Sequence, residues 1–173
     1  SGQKVELSAG ATAWLPCHIS TDSIGQGTNI GALSHIGRNV TIGQSCRIQG
    51  TVYIADGCSV GDEVFIGPGA VLTNDRYPPS NGKWRPVIVE NHSIIGANAT
   101  IICGNTIGKY SLIGAGSVVN RAVKDFELVV GNPIRHIGWV DIEGNRLRFD
   151  NEDKISVKGR TYELNNNKVT LLK

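Results

Sequence analysis

Between Leu72 and Val89 the chain collects side chains that could do chemistry together: Thr73-Asn74-Asp75-Arg76-Tyr77-Pro78-Pro79-Ser80-Asn81-Gly82-Lys83-Trp84-Arg85-Pro86. An amide and a carboxylate stand side by side, with two guanidinium groups, a phenol and an indole close by. That mixture is better suited to gripping a polar ligand than to solvating an inert turn, because amides orient without titrating and guanidiniums donate paired hydrogen bonds. The four histidines lie elsewhere. His18, His35 and His92 read as corner residues with surface or capping roles, and His136 belongs to the tail. Cys17, Cys46 and Cys58 take small inward positions, and with no CxxC spacing the cysteines indicate neither a zinc site nor a disulfide framework.

What must position that segment is a repeat. Aliphatic residues recur every six positions at Ile24, Ile30, Ile36, Ile42, Ile48, Ile54, Val60, Ile66 and Leu72, and the register resumes at Val89, Ile95, Ile101, Ile107, Ile113 and Val119. An upstream run at Leu7, Ala13 and Ile19 keeps the step. Four positions after most aliphatic residues stands a small or β-branched one, such as Thr28, Ser34, Val40, Cys46, Ser111 or Ser117. Helices repeat near 3.6 and strands at 2, so a strict period of six fits neither alone. It fits a short strand plus a turn, stacked as flat rungs. The 22 glycines and only 6% aromatics agree with tight turns and a narrow core, whereas a disordered Gly-rich segment would not hold aliphatic residues in register.

From Leu72 to Val89 is 17 positions where the register needs 6, so about 11 residues are looped out. Insertions in a solenoid lie on its surface, often on the binding face. Three rungs make a coil of 18, which puts Arg38, Asp56 and Asn74 in one column, continued past the insertion by Cys103 and Arg121. The next column holds Asn39, Gly57, Asp75 and Gly104. Asn105 is polar where the repeat prefers a small or branched residue, which leaves open a substrate contact or simple satisfaction by backbone groups.

At 173 residues with 40% hydrophobic content, one domain and a small appendage are expected, here residues 5–138 and 139–173 with the loop at 73–88. The net charge of +2, with scattered Lys and Arg, gives no footprint for nucleic acid or an anionic membrane. Apolar runs are too short for a transmembrane span or signal peptide, so a cytoplasmic location is expected. The Ser1-Gly2 start reads as a tag remnant. Beyond Trp139, alternating segments at 146–149, 154–157, 161–164 and 168–172 are separated by Asp150-Asn151-Glu152-Asp153, Lys158-Gly159-Arg160 and Asn165-Asn166-Asn167, which predicts a small antiparallel β appendage.

The hexapeptide pattern from about Leu7 to Gly138 resembles the hexapeptide-repeat acyltransferases. The resemblance implies an all-β, left-handed parallel β-helix with an inserted loop, assembled as a homotrimer, and an appendage similar to a zinc ribbon without its cysteines. Cys46-Arg47-Ile48-Gln49, Leu72-Thr73-Asn74, Gly96-Ala97-Asn98-Ala99-Thr100-Ile101 and Gly131-Asn132-Pro133-Ile134-Arg135-His136-Ile137-Gly138-Trp139 look like the nucleotide-sugar N-acetyltransferases that act on UDP-2-acetamido-3-amino-2,3-dideoxyglucuronate. Thr73-Asn74-Asp75-Arg76-Tyr77-Pro78 looks as much like those acting on dTDP-linked 3-amino-3,6-dideoxyhexoses.

On this resemblance the chain transfers an acetyl group from acetyl-CoA, its cosubstrate, to a sugar amine, with no metal. Asn74 matches the asparagine that meets the sugar near its reacting amine, and Asp75 is the second candidate for removing a proton. Arg76, Tyr77, Arg85 and Asn105 are expected around the sugar nucleotide. Ala97, Ala115 and Gly116 match small positions along the pantetheine arm, Pro133 and Arg135 match the adenine and 3′-phosphate end, and Cys103 is counted with this set. Ile134 departs from the usual Ala. With no obvious imidazole base, direct attack by the neutral amine is expected. The rivals are a sugar O-acetyltransferase, a non-catalytic scaffold, and a carbonic anhydrase with zinc held by three histidines; no His-x4-His pair supports the last.

Overall fold

Each six-residue unit folds as a two-residue strand ending on the inward aliphatic residue, followed by a tight turn, as in Asn29–Ile30, His35–Ile36 and Thr41–Ile42. In the computed structural model, which describes residues 2–150 and 152–172, these units stack as coils of a parallel β-solenoid. Ser1, and Asn151 of the expected turn at 150–153, lie outside the described residues.

The coil has three faces, each one strand per coil. The first carries Thr12–Leu15, Asn29–Ile30, Arg47–Ile48, Phe65–Ile66, Ile94–Ile95, Leu112–Ile113 and Glu127–Val130. The second carries His18–Ile19, His35–Ile36, Tyr53–Ile54, Val71–Leu72, Thr100–Ile101 and Val118–Val119. The third carries Thr41–Ile42, Ser59–Val60, Ile88–Val89 and Thr106–Ile107. Pairing is in register, Ile54 with Leu72 and Leu72 with Ile101 on the second face, so inward residues form continuous aliphatic columns.

Ile30, Ile36, Ile54, Ile66, Leu72, Ile95, Ile101, Ile107 and Ile113 are fully buried, each stabilising by roughly 1.5–3 kcal/mol. The inward hydroxyls are satisfied: Thr28 donates to the carbonyl of Gly43 at 2.7 Å and Ser111 to that of Gly108 at 2.7 Å. Coil spacing explains the glycine after the aliphatic residue. A Cβ on Gly96 would lie 2.5 Å from the Ala115 amide nitrogen of the next coil, nearer than side chains tolerate.

The loop interrupts the stack without shifting it. Leu72 pairs with Ile101 and Val60 with Val89, each 29 residues apart, so the 11 surplus residues leave the coil entirely.

Both ends depart from the repeat. Leu7 is not a rung: Gln3–Glu6 folds back antiparallel on Thr12–Leu15, and Leu7 sits between that strand and a short 3-10 turn at Ser8–Gly10. At the other end Glu127–Val130 completes the first face, then Arg135–Val140 returns antiparallel to it and pairs with Arg146–Leu147. That strand runs through the boundary expected between 138 and 139. A three-stranded antiparallel sheet follows, from Lys154–Val157, Arg160–Asn165 and Lys168–Leu171. Its Tyr162 and Val169 pack with Phe126, Trp139, Leu147 and Phe149 in a second core, so the appendage closes over the end of the coil. Among the described residues no helix is long and apolar enough to cross a membrane.

Candidate functional site

The turns between the first and second faces and those between the second and third form two corners that flank the second face, and the expected site residues divide between them. Asn74 stands at the corner after Val71–Leu72, where the loop departs. Its side-chain amide donates to the carbonyl of Asp56 one coil below at 3.1 Å, and its own carbonyl accepts the Arg85 amide at 2.7 Å, which pinches the loop shut at its base. The Asn74 Oδ1 receives no protein donor among the described residues. It is a fixed acceptor at the loop mouth. Beneath it, Asp56 holds Arg38 through the Arg38 backbone amide at 2.8 Å and Nε at 2.9 Å. Burial raises the Asp56 carboxyl, but the Arg38 amide and guanidinium outweigh it and leave the pKa below the usual range.

Asp75 is spent on the loop itself. One oxygen accepts the Tyr77 amide at 3.1 Å and the other the Ser80 amide at 2.9 Å. The Ser80 hydrogen bond is the main cause of a pKa below the ordinary carboxylate value. A carboxylate stabilised in its ionised form is a weaker proton acceptor, and both Asp75 oxygens hold the loop's own backbone. Arg76, Tyr77, Lys83 and Arg85 join Asp75 and Ser80 around a shallow cavity of about 370 Å³. Three cations face one carboxylate there, which suits an anionic ligand. The loop's return leg lies over the glycines of the corner: a Cβ on Gly104 would meet the Arg85 stem at 3.4 Å, and one on Gly57 the Pro86 ring at 3.5 Å.

Two further expected residues lie at the loop corner. Asn105 donates to the carbonyl of Ile102 at 2.8 Å, so its amide NH2 closes its own turn. Cys103 is 5% exposed, at the loop corner and not with the small residues of the other corner. Cys58 beside it is equally closed off, its thiol pushed up to about 11 by burial.

The opposite corner gathers the remaining expected residues. Ala97 and Gly116 stack in successive coils, with the Gly116 amide donating to the Ala97 carbonyl at 2.8 Å. Gly116 has φ of +68°, and a Cβ there would meet nothing within 4 Å, so the corner is open. The Gly131–Ile134 turn fastens to this corner, Gly131 donating to the Ser117 hydroxyl at 3.1 Å and Ile134 to the Val118 carbonyl at 3.1 Å. Pro133 and Arg135 are exposed beside it. Ile134 turns inward and caps the aliphatic column, which accounts for a branched residue there. Small residues Ala97, Ala115 and Gly116 thus lead to an exposed guanidinium, a stripe that fits an extended thiol-bearing arm ending in phosphate.

Two of the four histidines are placed differently from expectation. His18 and His35 lie on strands of the second face, not at corners, where they stack on each other with ring centroids 4.5 Å apart and His35 stacks on Tyr53 at 4.8 Å. The outward position before each aliphatic residue carried this signal, with His35 and Tyr53 one coil apart. His92 is at a corner, 3.5 Å from Glu63 and stacked on Tyr110. His136 meets Glu127 at 3.2 Å. Sequence reasoning missed that Glu127 is buried at 2% exposure and accepts from Arg121 at 2.8 and 3.2 Å and from the Lys124 amide at 2.8 Å.

Residues 39–74 match the bacterial transferase hexapeptide (six repeats) family model, and residues 86–121 match the hexapeptide repeat of succinyl-transferase. The chain is 41% identical over 76 residues to a dTDP-3-amino-3,6-dideoxy-alpha-D-galactopyranose 3-N-acetyltransferase of Aneurinibacillus thermoaerophilus, covering 44% of this chain and 40% of the relative. It is 40% identical over 73 residues to a 2,3,4,5-tetrahydropyridine-2,6-dicarboxylate N-acetyltransferase of Brevibacillus brevis, covering 42% and 30%. Among solved structures, the acetyltransferase domain of PglB from Neisseria gonorrhoeae, in complex with acetyl coenzyme A, superposes with a TM-score of 0.66 at 22% identity, over 75% of this chain and 58% of that one, a likeness of fold. The chain therefore spans less than half the length of the curated relatives it matches. With in-register six-residue rungs on both sides of the loop and a repeat model matched on each side, the chain is built of hexapeptide repeats and is similar over them to the hexapeptide-repeat acyltransferases.

Proposed function

We propose that this chain is an acetyl-CoA-dependent N-acetyltransferase whose acceptor is an amino group, at C3, of a nucleotide-linked amino sugar. One observation carries the reading. The outer face of Val71, Thr100 and Val118 is bordered at one corner by the stripe from Ala97 to Arg135 and at the other by Asn74 and its cationic loop. A donor along the first corner and an acceptor at the second would meet across a single strand width. The relative from Aneurinibacillus, by its name, acetylates the 3-amino group of a dTDP-sugar, which supports this acceptor class.

Asn74 holds the acceptor through its free Oδ1, which takes a hydrogen bond from the sugar amine and aims the nitrogen lone pair. Arg76 and Arg85 hold the diphosphate. Ala97, Ala115 and Gly116 leave room for the pantetheine arm and Arg135 pairs with its phosphate end. The neutral amine forms the new C–N bond to the acetyl carbon, the C–S bond breaks, and the surplus amine proton passes to the departing thiolate or to water. Placement of the two reactants supplies most of the acceleration. The exposed loop, fully extended, spans on the order of 30 Å, enough to reach a second copy, and the active form is a cytoplasmic homotrimer with sites between subunits.

The test is a panel of UDP- and dTDP-linked 3-amino sugars, their 3-hydroxy counterparts and tetrahydropyridine dicarboxylate, each mixed with protein and acetyl-CoA while free thiol is followed. Release with an amino sugar alone is expected. Release only with hydroxy sugars would make the chain an O-acetyltransferase, and release only with the dicarboxylate would move it to the other relative's acceptor. A stable, fully active monomer in sedimentation would overturn the trimer.

A further inference from the structure

Two aromatic ladders run along the coil, and they end differently. His92, Tyr110 and Phe126 stack at one corner with centroids 4.6 and 5.0 Å apart, and the edge of Tyr162 closes the ladder against Phe126. His18, His35 and Tyr53 stack on the outer surface of the second face, their planes within 15° and 16° of parallel, and among the described residues no ring closes on the far side of Tyr53. The next residue in that column is Val71, paired directly with Tyr53. The column therefore drops from a flat ring to an isopropyl group, and Tyr53 is left 43% exposed at the step. Thr100 and Val118 continue the low floor.

On the strength of the nucleotide-sugar reading, we propose that Tyr53 is the stacking platform for the nucleobase of the acceptor, which lies over Val71 as the next rung of the ladder. Three things favour it. The free face of Tyr53 looks along the coil toward the loop, and a ring already held flat by His35 needs no reordering to receive another. From Val71 to Asn74 is three residues, at most about 10 Å of chain, a span that a diphosphate bridges between base and sugar. At the Asn74 end of that span the loop brings in the cations Arg76 and Arg85, the latter donating its backbone amide to the Asn74 carbonyl at 2.7 Å. A flat ledge at one end of the span, with an amide acceptor and cations at the other, matches a base joined through a diphosphate to an amino sugar.

Stacking is tolerant of base identity, because every base has a π face, so the ledge accounts for recognition of a nucleotide without choosing uracil over thymine. The experiment is calorimetric titration of the full chain with UDP, dTDP and inorganic pyrophosphate, on the parent, Tyr53→Phe, Tyr53→Ala and Val71→Phe. Tyr53→Ala is expected to weaken both nucleotides about tenfold or more while leaving pyrophosphate unchanged, and Tyr53→Phe to bind as the parent does. Val71→Phe extends the ladder into the proposed base position. It should melt no lower than the parent yet lose nucleotide affinity to the level of pyrophosphate. Unchanged nucleotide affinity in Tyr53→Ala, or in a folded Val71→Phe, overturns the ledge while leaving the acceptor class standing. A parent that binds neither nucleotide overturns both together.

Discussion

The side-chain amide of Asn74 hangs from the backbone carbonyl of Asp56, 18 residues earlier and one coil below, at 3.1 Å. One hydrogen bond thus restrains the rotamer of Asn74 and ties the loop mouth to the regular stack, leaving Oδ1 without a protein donor among the described residues. Replacing Asn74 by Ala removes both functions at once. Turnover should fall about 10- to 100-fold, or roughly 1.4–2.8 kcal/mol of barrier, without vanishing, because an amide can orient the amine but not deprotonate it. Stability should fall by about 1 kcal/mol, the net worth of one hydrogen bond. Steady-state kinetics and thermal melting on one preparation separate the two effects, and parent-like turnover would remove Asn74 from the site.

Asp75 gives a different signature. Its carboxylate holds the Tyr77 and Ser80 amides, so Asp75→Asn weakens the loop's inner turn and should raise the KM of the sugar nucleotide with little change in the pH profile. Its pKa lies below the ordinary carboxylate value, so the group is ionised throughout the neutral range. Its support of the loop is present above that ordinary value and is lost as pH falls through the lower folded pKa. A base at Asp75 would instead erase the ascending limb of kcat against pH on substitution.

Arg135→Ala should raise the KM of acetyl-CoA and spare that of the sugar nucleotide. A charge-assisted phosphate contact made equally in ground and transition states is worth about 1.5–3 kcal/mol. Equal acetyl-CoA parameters in mutant and parent would detach Pro133 and Arg135 from the donor stripe.

Glu127 links the last coil to the returning strand. Burial raises its carboxyl, yet the Arg121 guanidinium, the Lys124 amide and His136 together bring the pKa below the ordinary value. Glu127→Gln should cost about 2 kcal/mol, less than a fully buried pair because the Arg121 side chain is 42% exposed. The sign follows from the depressed pKa: the stabilisation is complete above about pH 4.3, the unfolded value, and is lost as pH falls through the folded one. Melting curves of mutant and parent should therefore converge in acid. A gap that persists unchanged to pH 2 would assign the loss to packing instead of charge.

The solenoid, its 11-residue excursion and the strands of the appendage were legible because burial imposes a six-residue period that any single sequence displays. The same period brought Arg38, Asp56 and Asn74 into one column, and the structure joins them by hydrogen bonds at that spacing. The ends were less legible. Leu7 satisfies the period yet lies outside a rung, since the first strand needs a partner and takes it antiparallel from Thr12–Leu15. Local backbone bonding at Asp75 and Asn105 was hidden for a different reason. Whether a polar side chain turns to its own turn or to solvent depends on rotamer and loop geometry, which residue type and spacing do not specify.

The histidines provide the sharpest test of mechanism, because each now has a structural occupation. His18 donates to or accepts from the Ser20 hydroxyl at 2.7 Å and stacks on His35, His35 carries Tyr53, His92 pairs with Glu63, and His136 with Glu127. None lies in the loop. If the amine attacks unaided, single replacement of His18, His35 or His92 by Asn should leave kcat within about tenfold, roughly 1.4 kcal/mol of barrier. His35→Asn is the exception in binding alone: with the support of Tyr53 removed, the KM of the sugar nucleotide should rise while kcat holds. The ascending limb of the pH profile then belongs to the substrate amine, and it should persist in every histidine variant and shift with the pKa of the amine when acceptors of different basicity are compared. A folded histidine variant that loses several orders of magnitude in kcat, together with that limb, would establish an imidazole base and displace positioning by Asn74 as the main source of the rate.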